Sequence, residues 1–258
     1  MSFLAQVDHH LFRYVGYPYM RITRDDSSFE RIFYLLDFLR GQNRQVRLLD
    51  AGCSGAISLY LIEREAPGLV SSFVGVDWKA SRLYNRFKHF RTPHEFFDAN
   101  LDEDRNFGEF DVVWCSECLE HILDDHGVFK RLCRSVKRGG HVVLSVPSEA
   151  HRKSLAPAMP ELMETSPTQD GGHVRVGYTP ESLLQLAAGT PAELIRVDAI
   201  TRADETYLRR RFRWSQMLQP MRSAYYAMAR SRNDFYKLSA TPRDLEQFHS
   251  IGAVYRVS

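Results

Sequence analysis

The stretch VVWCSECLEHI, residues 112–122, sets an apolar run directly before Glu117, Glu120 and His121. If the chain turns helical there, positions i, i+3 and i+4 share one face and three ligand-type side chains converge. Two carboxylates and an imidazole suit a divalent metal such as Mg or Mn. His121 alone would serve as a general base. The same residues would also serve as polar caps of a helix beyond a strand, and the residues by themselves leave all three readings open. Cys115 and Cys118 form a C-x-x-C in this stretch. No second pair accompanies them, so zinc is disfavoured and Cys115 reads as the buried end of the strand.

The elements that must position these residues alternate along the chain. VRLLDAG, SFVGVDW, HEFFDAN, FDVVWC and HVVLSVP read as short apolar strands. ISLYLIEREA, SRLYNRFKHF and GVFKRLCRSVKRGG read as the helices between them, the last stopped by paired glycines. Such alternation predicts an α/β fold, a parallel sheet with helices on both faces. A helix over 27–40 precedes it, with Ser27 and Glu30 at capping-box spacing and Gly41 at its end. A long polar connection follows over 148–178, a length that favours a functional loop. Thr179-Pro180 starts a helix reaching about Ala188. AELIRVDAI is a sixth strand and IGAVYRVS a closing one. The expected organisation is a single domain over 1–258. It comprises a helical cap (1–44), a core (45–200), a helical insertion folded over the ligand edge (201–248) and a closing strand (249–258).

Open α/β sheets bind ligands at the carboxyl ends of their strands. The first strand ends LLDAGCSGA, where Gly52 and Gly55 allow a tight turn and close backbone approach. The second ends at Asp77, whose carboxylate can accept both hydroxyls of a ribose. The third ends at Asp98, which can accept from an adenine amino group. The G-x-G-x-x-G fingerprint of nicotinamide enzymes is missing.

This order resembles the class I S-adenosylmethionine-dependent methyltransferases, particularly those acting on small molecules. LLDAGCSG, VGVDW, FFDANLD, FDVVWCSECLEHI, LCRSVKRGGHVVLSVP and GGHVRVGYTPESLLQLA carry the resemblance, from about Arg47 to Ala188. It implies a Rossmann-like, seven-stranded, mostly parallel sheet with a reversed last strand. It also implies that Asp50, Gly52 and Gly55 hold the methionine moiety, Asp77 the ribose and Asp98 the adenine, with Trp78 stacking on the base. Cys53, Ala99 and Cys115 complete the implied cofactor contacts. One departure stands out: the family's glycine loop has three glycines at alternating positions, and here Ser54 and Ala56 interrupt it.

Methyl transfer needs an aligned acceptor and excluded water. A hydroxyl acceptor must also lose its proton, to a base or with help from a metal. Glu-x-x-Glu-His resembles the metal motif of ubiquinone-biosynthesis O-methyltransferases and of small-RNA 2′-O-methyltransferases, which add a later histidine. His173 falls at that later position, so Glu117, Glu120 and His121 are the candidate metal ligands. His121 and His173 are the candidate catalytic residues.

Composition bounds the rest. A chain that is 44% hydrophobic and 26% charged, with net charge +2, is an ordinary globular one, and neither nucleic acid nor membrane follows from its charge. Four cysteines without framework spacing suit a reducing cytoplasm. The N-terminus lacks a signal-peptide pattern, and no apolar run is long enough to span a bilayer. Arg209, Arg210, Arg211, Arg213, Arg222, Arg230 and Arg232, with Trp214, Tyr225 and Tyr226, fit a solvated helix face or recognition of an anionic acceptor. The expected function is O-methylation of a small-molecule or glycan hydroxyl. RNA 2′-O-methylation and a non-catalytic partner protein are the alternatives. His9, His10, His126 and His151 are expected at the surface.

Overall fold

The structure, a computed structural model, describes residues 27–169, 171–204 and 235–258. Its strands are β1 (Val46–Ala51), β2 (Val70–Asp77), β3 (His94–Asp98), β4 (Phe110–Ser116), β5 (Val136–Pro147), β6 (Ala192–Arg202), β7 (Tyr236–Lys237) and β8 (Phe248–Val257). They form one sheet in the order β3-β2-β1-β4-β5-β8-β6-β7. The pairs β3–β2, β2–β1, β1–β4 and β4–β5 are parallel, while β8 runs antiparallel between β5 and β6. The expected seven strands and the reversed last strand are present. The eighth, β7, is a two-residue edge strand on β6.

Successive strand residues feed opposite faces, as the two-residue strand period requires. Leu48, Phe73, Val112 and Trp114 pack under helices α1 (Ser27–Arg40), α2 (Ile57–Glu65) and α3 (Tyr84–Phe87). Leu49, Val113, Val142 and Leu144 pack under α4 (Asp125–Arg134), while α5 (Glu149–Leu155) leads into the connection. The helices α6 (Pro180–Leu186) and α7 (Pro242–Gln247) complete that second face. Both faces are therefore covered, which explains the near-continuous apolar runs of β1 and β4.

Some boundaries differ from expectation. The helix expected to run to the paired glycines stops at Arg134, and Val136–Gly140 already belong to β5. Gly139, at φ +78, lies where the β4–β5 register slips between Phe110 and Val112, so the glycines serve a bulge. SRLYNRFKHF is a 3-10 turn (Ala80–Leu83) followed by α3. The polar connection contains α5 and a 3-10 turn at Pro160–Met163. Thr179 is the expected N-cap and forms a capping box with Ser182, and the helix it starts ends at Leu186.

The expected cap over 1–44 is described from α1 onward, and α1 is a layer of the sheet core. Its Tyr34 donates to Asp198 of β6 at 2.7 Å, and Asp198 also accepts from Arg196 Nε and the Ser239 amide. That carboxylate is fully buried and multiply bonded. Of the insertion expected over 201–248, the described ends are β7 and α7, and β8 begins at Phe248. The chain goes out to β3 and then restarts at β4 beside β1, which makes the β1/β4 edge a topological switch point.

Candidate active site

The first loop leaves β1 at Ala51 with left-handed backbone at Gly52 (φ +80), Ser54 (φ +45) and Ala56 (φ +49). These are the alternating positions at which the resembling family carries glycine. The serine and alanine therefore keep the loop's shape at the cost of strain, and Gly55 is not one of the left-handed positions. The amides of Gly52 and Cys53 both donate to the Val76 carbonyl, at 2.8 and 3.0 Å. Cys118 closes over Gly52, where a Cβ would lie 2.8 Å from Cys118 Sγ.

At the end of β2, Asp77 Oδ2 accepts from the Ser54 amide at 3.0 Å. At the end of β3, Asp98 accepts from the Ser81 amide at 2.7 Å and hydroxyl at 2.6 Å. Those Ser81 bonds hold its carboxyl below the usual range. A cavity of about 620 Å³ opens here, and Gly52, Asp77, Trp78, Asp98, Ala99 and His121 lie on its wall. Its size suits a small-molecule cofactor. Trp78 is 75% exposed beside it, a ring left open for stacking. Gln169 and Gly171 of the polar connection also line it.

Asp50, Cys53, Gly55 and Cys115 are not on that wall. Asp50 is buried beneath the loop and accepts from the Ser58 hydroxyl. Burial pushes its carboxyl up to about 7, with Ser58 opposing and Asp77 adding. Cys53 and Cys115 are buried. Burial raises the Cys53 thiol, and the hydrogen bond with Cys118 raises Cys115, followed by burial.

The expected helical face at 117–121 does not form. Glu117 takes φ +47, and a three-residue 3-10 turn, Leu119–His121, follows it. The left-handed step turns Glu117 toward β5, where Ser145 Oγ donates to its Oε1 at 3.0 Å and the Ser145 carbonyl takes its amide at 2.7 Å. Glu120, His121 and His173 come together instead, with one ligand atom from each lying within 4.8 Å of the others. Glu120 Oε1 is 3.8 Å from His121 Nε2. His121 Nδ1 donates to the Gly172 carbonyl at 2.9 Å, which leaves Nε2 with a lone pair in the neutral ring. Glu120 is 1% exposed, and burial followed by the charge of Glu117 pushes its carboxyl up. His173 is pushed down to about 4 by burial, Arg152 and His121. Glu120 Oε2 and His173 Nδ1 are buried with no hydrogen-bond partner among the described residues.

Several residues of this side went unread in the sequence. Arg152 Nη2 lies 3.5 Å from His173 Nε2. His249, at the start of β8, lies at the carboxyl edge of β5, where its carbonyl takes the Ser148 amide at 2.9 Å. Burial pushes its imidazole down, with Glu117 opposing. His151, expected at the surface, is buried and bonds through Nδ1 to the Glu246 carbonyl at 2.8 Å. His126, expected at the surface, is exposed there on α4, with Nδ1 3.1 Å from the Leu186 carbonyl. No spacing signal marks Arg152, His151 or His249, because they gather only where β8 and α7 pack against α5. His9, His10 and the insertion's arginines and aromatics, from Arg209 to Arg232, lie outside the described residues.

A methyltransferase-domain family matches residues 22–197. The ubiquinone biosynthesis O-methyltransferase of Thiobacillus denitrificans is 35% identical over 104 residues, 38% of this chain and 43% of that protein. The chain spans less than half the length of the curated relatives it matches. Among solved structures, the magnesium protoporphyrin IX methyltransferase of Synechocystis, with bound S-adenosylhomocysteine (SAH), is similar with a TM-score of 0.58. It is 11% identical, covering 98% of this chain and 99% of that one. The N-methyltransferase NodS of Bradyrhizobium japonicum, also with SAH, has a TM-score of 0.55 at 13% identity and 98% coverage of both chains. Likeness at these identities concerns the fold.

Proposed function

The chain belongs to the methyltransferase-domain family, and we propose that it transfers a methyl group from S-adenosylmethionine to a hydroxyl of a small molecule or sugar, assisted by a divalent cation. The observation that carries this reading is the meeting of Glu120, His121 and His173 at one side of the cavity bearing Gly52, Asp77, Trp78 and Asp98. His121 belongs to both. The curated relatives are named as O-methyltransferases, which supports a hydroxyl acceptor.

Asp77 accepts the ribose hydroxyls, Trp78 stacks on the adenine, and Asp98 with Ala99 receives its edge. Asp98 retains free lone pairs beyond the two Ser81 bonds. Asp50, Gly52, Cys53 and Gly55 shape the loop for the methionine end, and Cys115 packs beneath it. Bound there, S-adenosylmethionine supplies an electrophilic methyl group.

Glu120, His121 and His173 fit a cation. Two of their buried polar atoms have no hydrogen-bond partner among the described residues, and two imidazoles with a carboxylate suit Mn or another first-row ion, with Mg the harder alternative. Glu117 lies next to Glu120 and adds negative charge. A bound cation would act as a Lewis acid on the acceptor hydroxyl. His121 Nε2, held by the Gly172 bond, is oriented to take the acceptor's proton or to ligate. Arg152 lies beside the cluster on the acceptor side, 3.5 Å from His173 Nε2. Four free cysteines fit a reducing cytoplasm, and no helix among the described residues is long and apolar enough to cross a membrane.

The test is a methyl-transfer assay with S-adenosylmethionine across phenolic, catecholic and sugar acceptors, with Mg, Mn or a chelator. Turnover of a hydroxyl acceptor that chelation suppresses and Mn restores is the expected result. Turnover confined to amine acceptors, or indifferent to chelation, would overturn the O-transfer or the cation respectively.

A further inference from the structure

Arg175 has no role in the chemistry above, yet its guanidinium reaches into the turn that carries Glu120 and His121. Nη1 donates to the carbonyls of Leu119 at 2.6 Å and Ile122 at 2.8 Å, and Nη2 donates to that of Leu123 at 3.2 Å. Asp125 at the start of α4 balances the charge at 3.2 Å. The Tyr178 hydroxyl accepts from Arg175 Nη1 at 3.1 Å and donates to Asp125 at 2.8 Å, while the Tyr178 ring packs on the guanidinium, 5.5 Å from its centroid.

A three-residue 3-10 turn cannot satisfy its own trailing carbonyls. Here a single planar fork takes the Leu119 carbonyl, which also accepts the Ile122 amide at 3.1 Å, and the carbonyls of Ile122 and Leu123 just beyond the turn, in a fixed geometry that the flexible ammonium of a lysine does not reproduce. The residues flanking His173 add two more bonds to the same turn: the Val174 amide donates to the Glu120 carbonyl at 2.8 Å, and His121 Nδ1 donates to the Gly172 carbonyl. Gly172, Val174 and Arg175 thus join the segment carrying His173 to the turn carrying Glu120 and His121. The two halves of the cluster come from distant parts of the chain, and these bonds join them, with the Leu123 amide donating to Gln169 Oε1 at 2.9 Å beside them.

We infer that Arg175 is a positioning residue: it locks the 119–123 turn to the 172–175 segment and so sets the spacing of Glu120, His121 and His173. The inference rests on the reading of those three residues as a cation site. It concerns a residue that touches neither cofactor nor acceptor. Partners of this kind typically govern 10–100-fold in metal affinity.

The experiment uses the full chain, the variants Arg175→Ala and Arg175→Lys, and Arg134→Ala as a surface control. Mn is titrated calorimetrically with SAH present, SAH is titrated separately, and amide hydrogen exchange is followed by mass spectrometry. Both Arg175 variants should bind Mn about 10–100-fold more weakly and exchange faster over 117–124 and 171–176. SAH affinity and exchange in β1 and β4 should stay at the control's values, which a general loss of stability would not leave unmoved. Arg175→Lys, the milder change, decides the matter if Arg175→Ala does not fold. Mn affinity within threefold of the parent, with unchanged exchange at 117–124, overturns the inference. If the parent chain itself binds no Mn, the cation reading fails separately. Exchange then decides alone: faster exchange confined to the two segments supports the positioning role, and unchanged exchange removes it.

Discussion

His121 and His173 meet edge to face, their ring centroids 4.7 Å apart and their planes at 78°. One comes from the turn after β4 and the other from the long connection after β5, so the cluster forms only when those two segments dock. Glu120 is buried beside them, its second oxygen without a hydrogen-bond partner among the described residues. A buried carboxyl pushed toward its protonated form by its surroundings is a cost that a bound cation would reverse.

Replacing that carboxyl gives opposite signs for two readings. Glu120→Gln keeps the shape and removes the buried ionisable group. Under the cation reading it weakens Mn binding at least tenfold and leaves SAH affinity unchanged, while the metal-free protein melts at the same temperature or higher. A capping role predicts a lower melting temperature. Calorimetry for Mn and SAH with thermal melts in chelator separates the two.

Asp77→Ala should weaken SAH about tenfold or more. It removes a charged acceptor for the ribose, at about 1.5–3 kcal/mol per bond, and it also frees the Ser54 amide that Asp77 holds at 3.0 Å. Titration calorimetry at fixed salt reads this directly. Unchanged affinity would remove Asp77 from the cofactor site.

The first loop predicts an asymmetry between two substitutions. Ser54 is exposed in a left-handed conformation that favours glycine, so Ser54→Gly should stabilise by about 0.5–1 kcal/mol. Gly52→Ala places a Cβ 2.8 Å from Cys118 Sγ at φ +80, so it should destabilise by about 2 kcal/mol or more and abolish SAH binding. Urea unfolding of both variants checks the pair, and equal effects would contradict the loop geometry.

That loop also marks what could be read from residues alone. The apolar runs and their terminal acids located β1 to β5 and the ligand edge, because buried parallel strands leave a strong pattern. The spacing Glu-x-x-Glu-His suggested a helical face. It could not reveal that Glu117 would take φ +47 and turn to Ser145, since that step depends on β4 and β5 being adjacent. His173 was legible through family resemblance. Arg152, Arg175 and His249 were not, because their roles arise from contacts between distant segments. The paired glycines at 139 and 140 looked like a helix stop, when the signal belonged to a bulge.

Asp50 carries the last prediction, a pH dependence. Its carboxyl is buried, bonded to the Ser58 hydroxyl, and raised to about 7, chiefly by burial. In the unfolded chain it titrates near 4. Between those values the folded protein keeps a proton that the unfolded chain has released. Stability from this group is therefore complete below about pH 4 and is lost as pH rises toward 7. Asp244, held to about 2 chiefly by its Lys237 bond, acts in the opposite sense and at lower pH, and Glu120, His173 and His249 are shifted as well, so a raw profile mixes several groups. Comparison with Asp50→Asn isolates the first, because the amide oxygen can still accept from Ser58 and cannot titrate. The variant should gain on the parent by on the order of 2 kcal/mol between pH 5 and pH 7. Urea unfolding at half-unit pH steps measures it. Parallel profiles would mean that Asp50 is ionised in the folded protein throughout, and the loop above it would then rest on a buried charge.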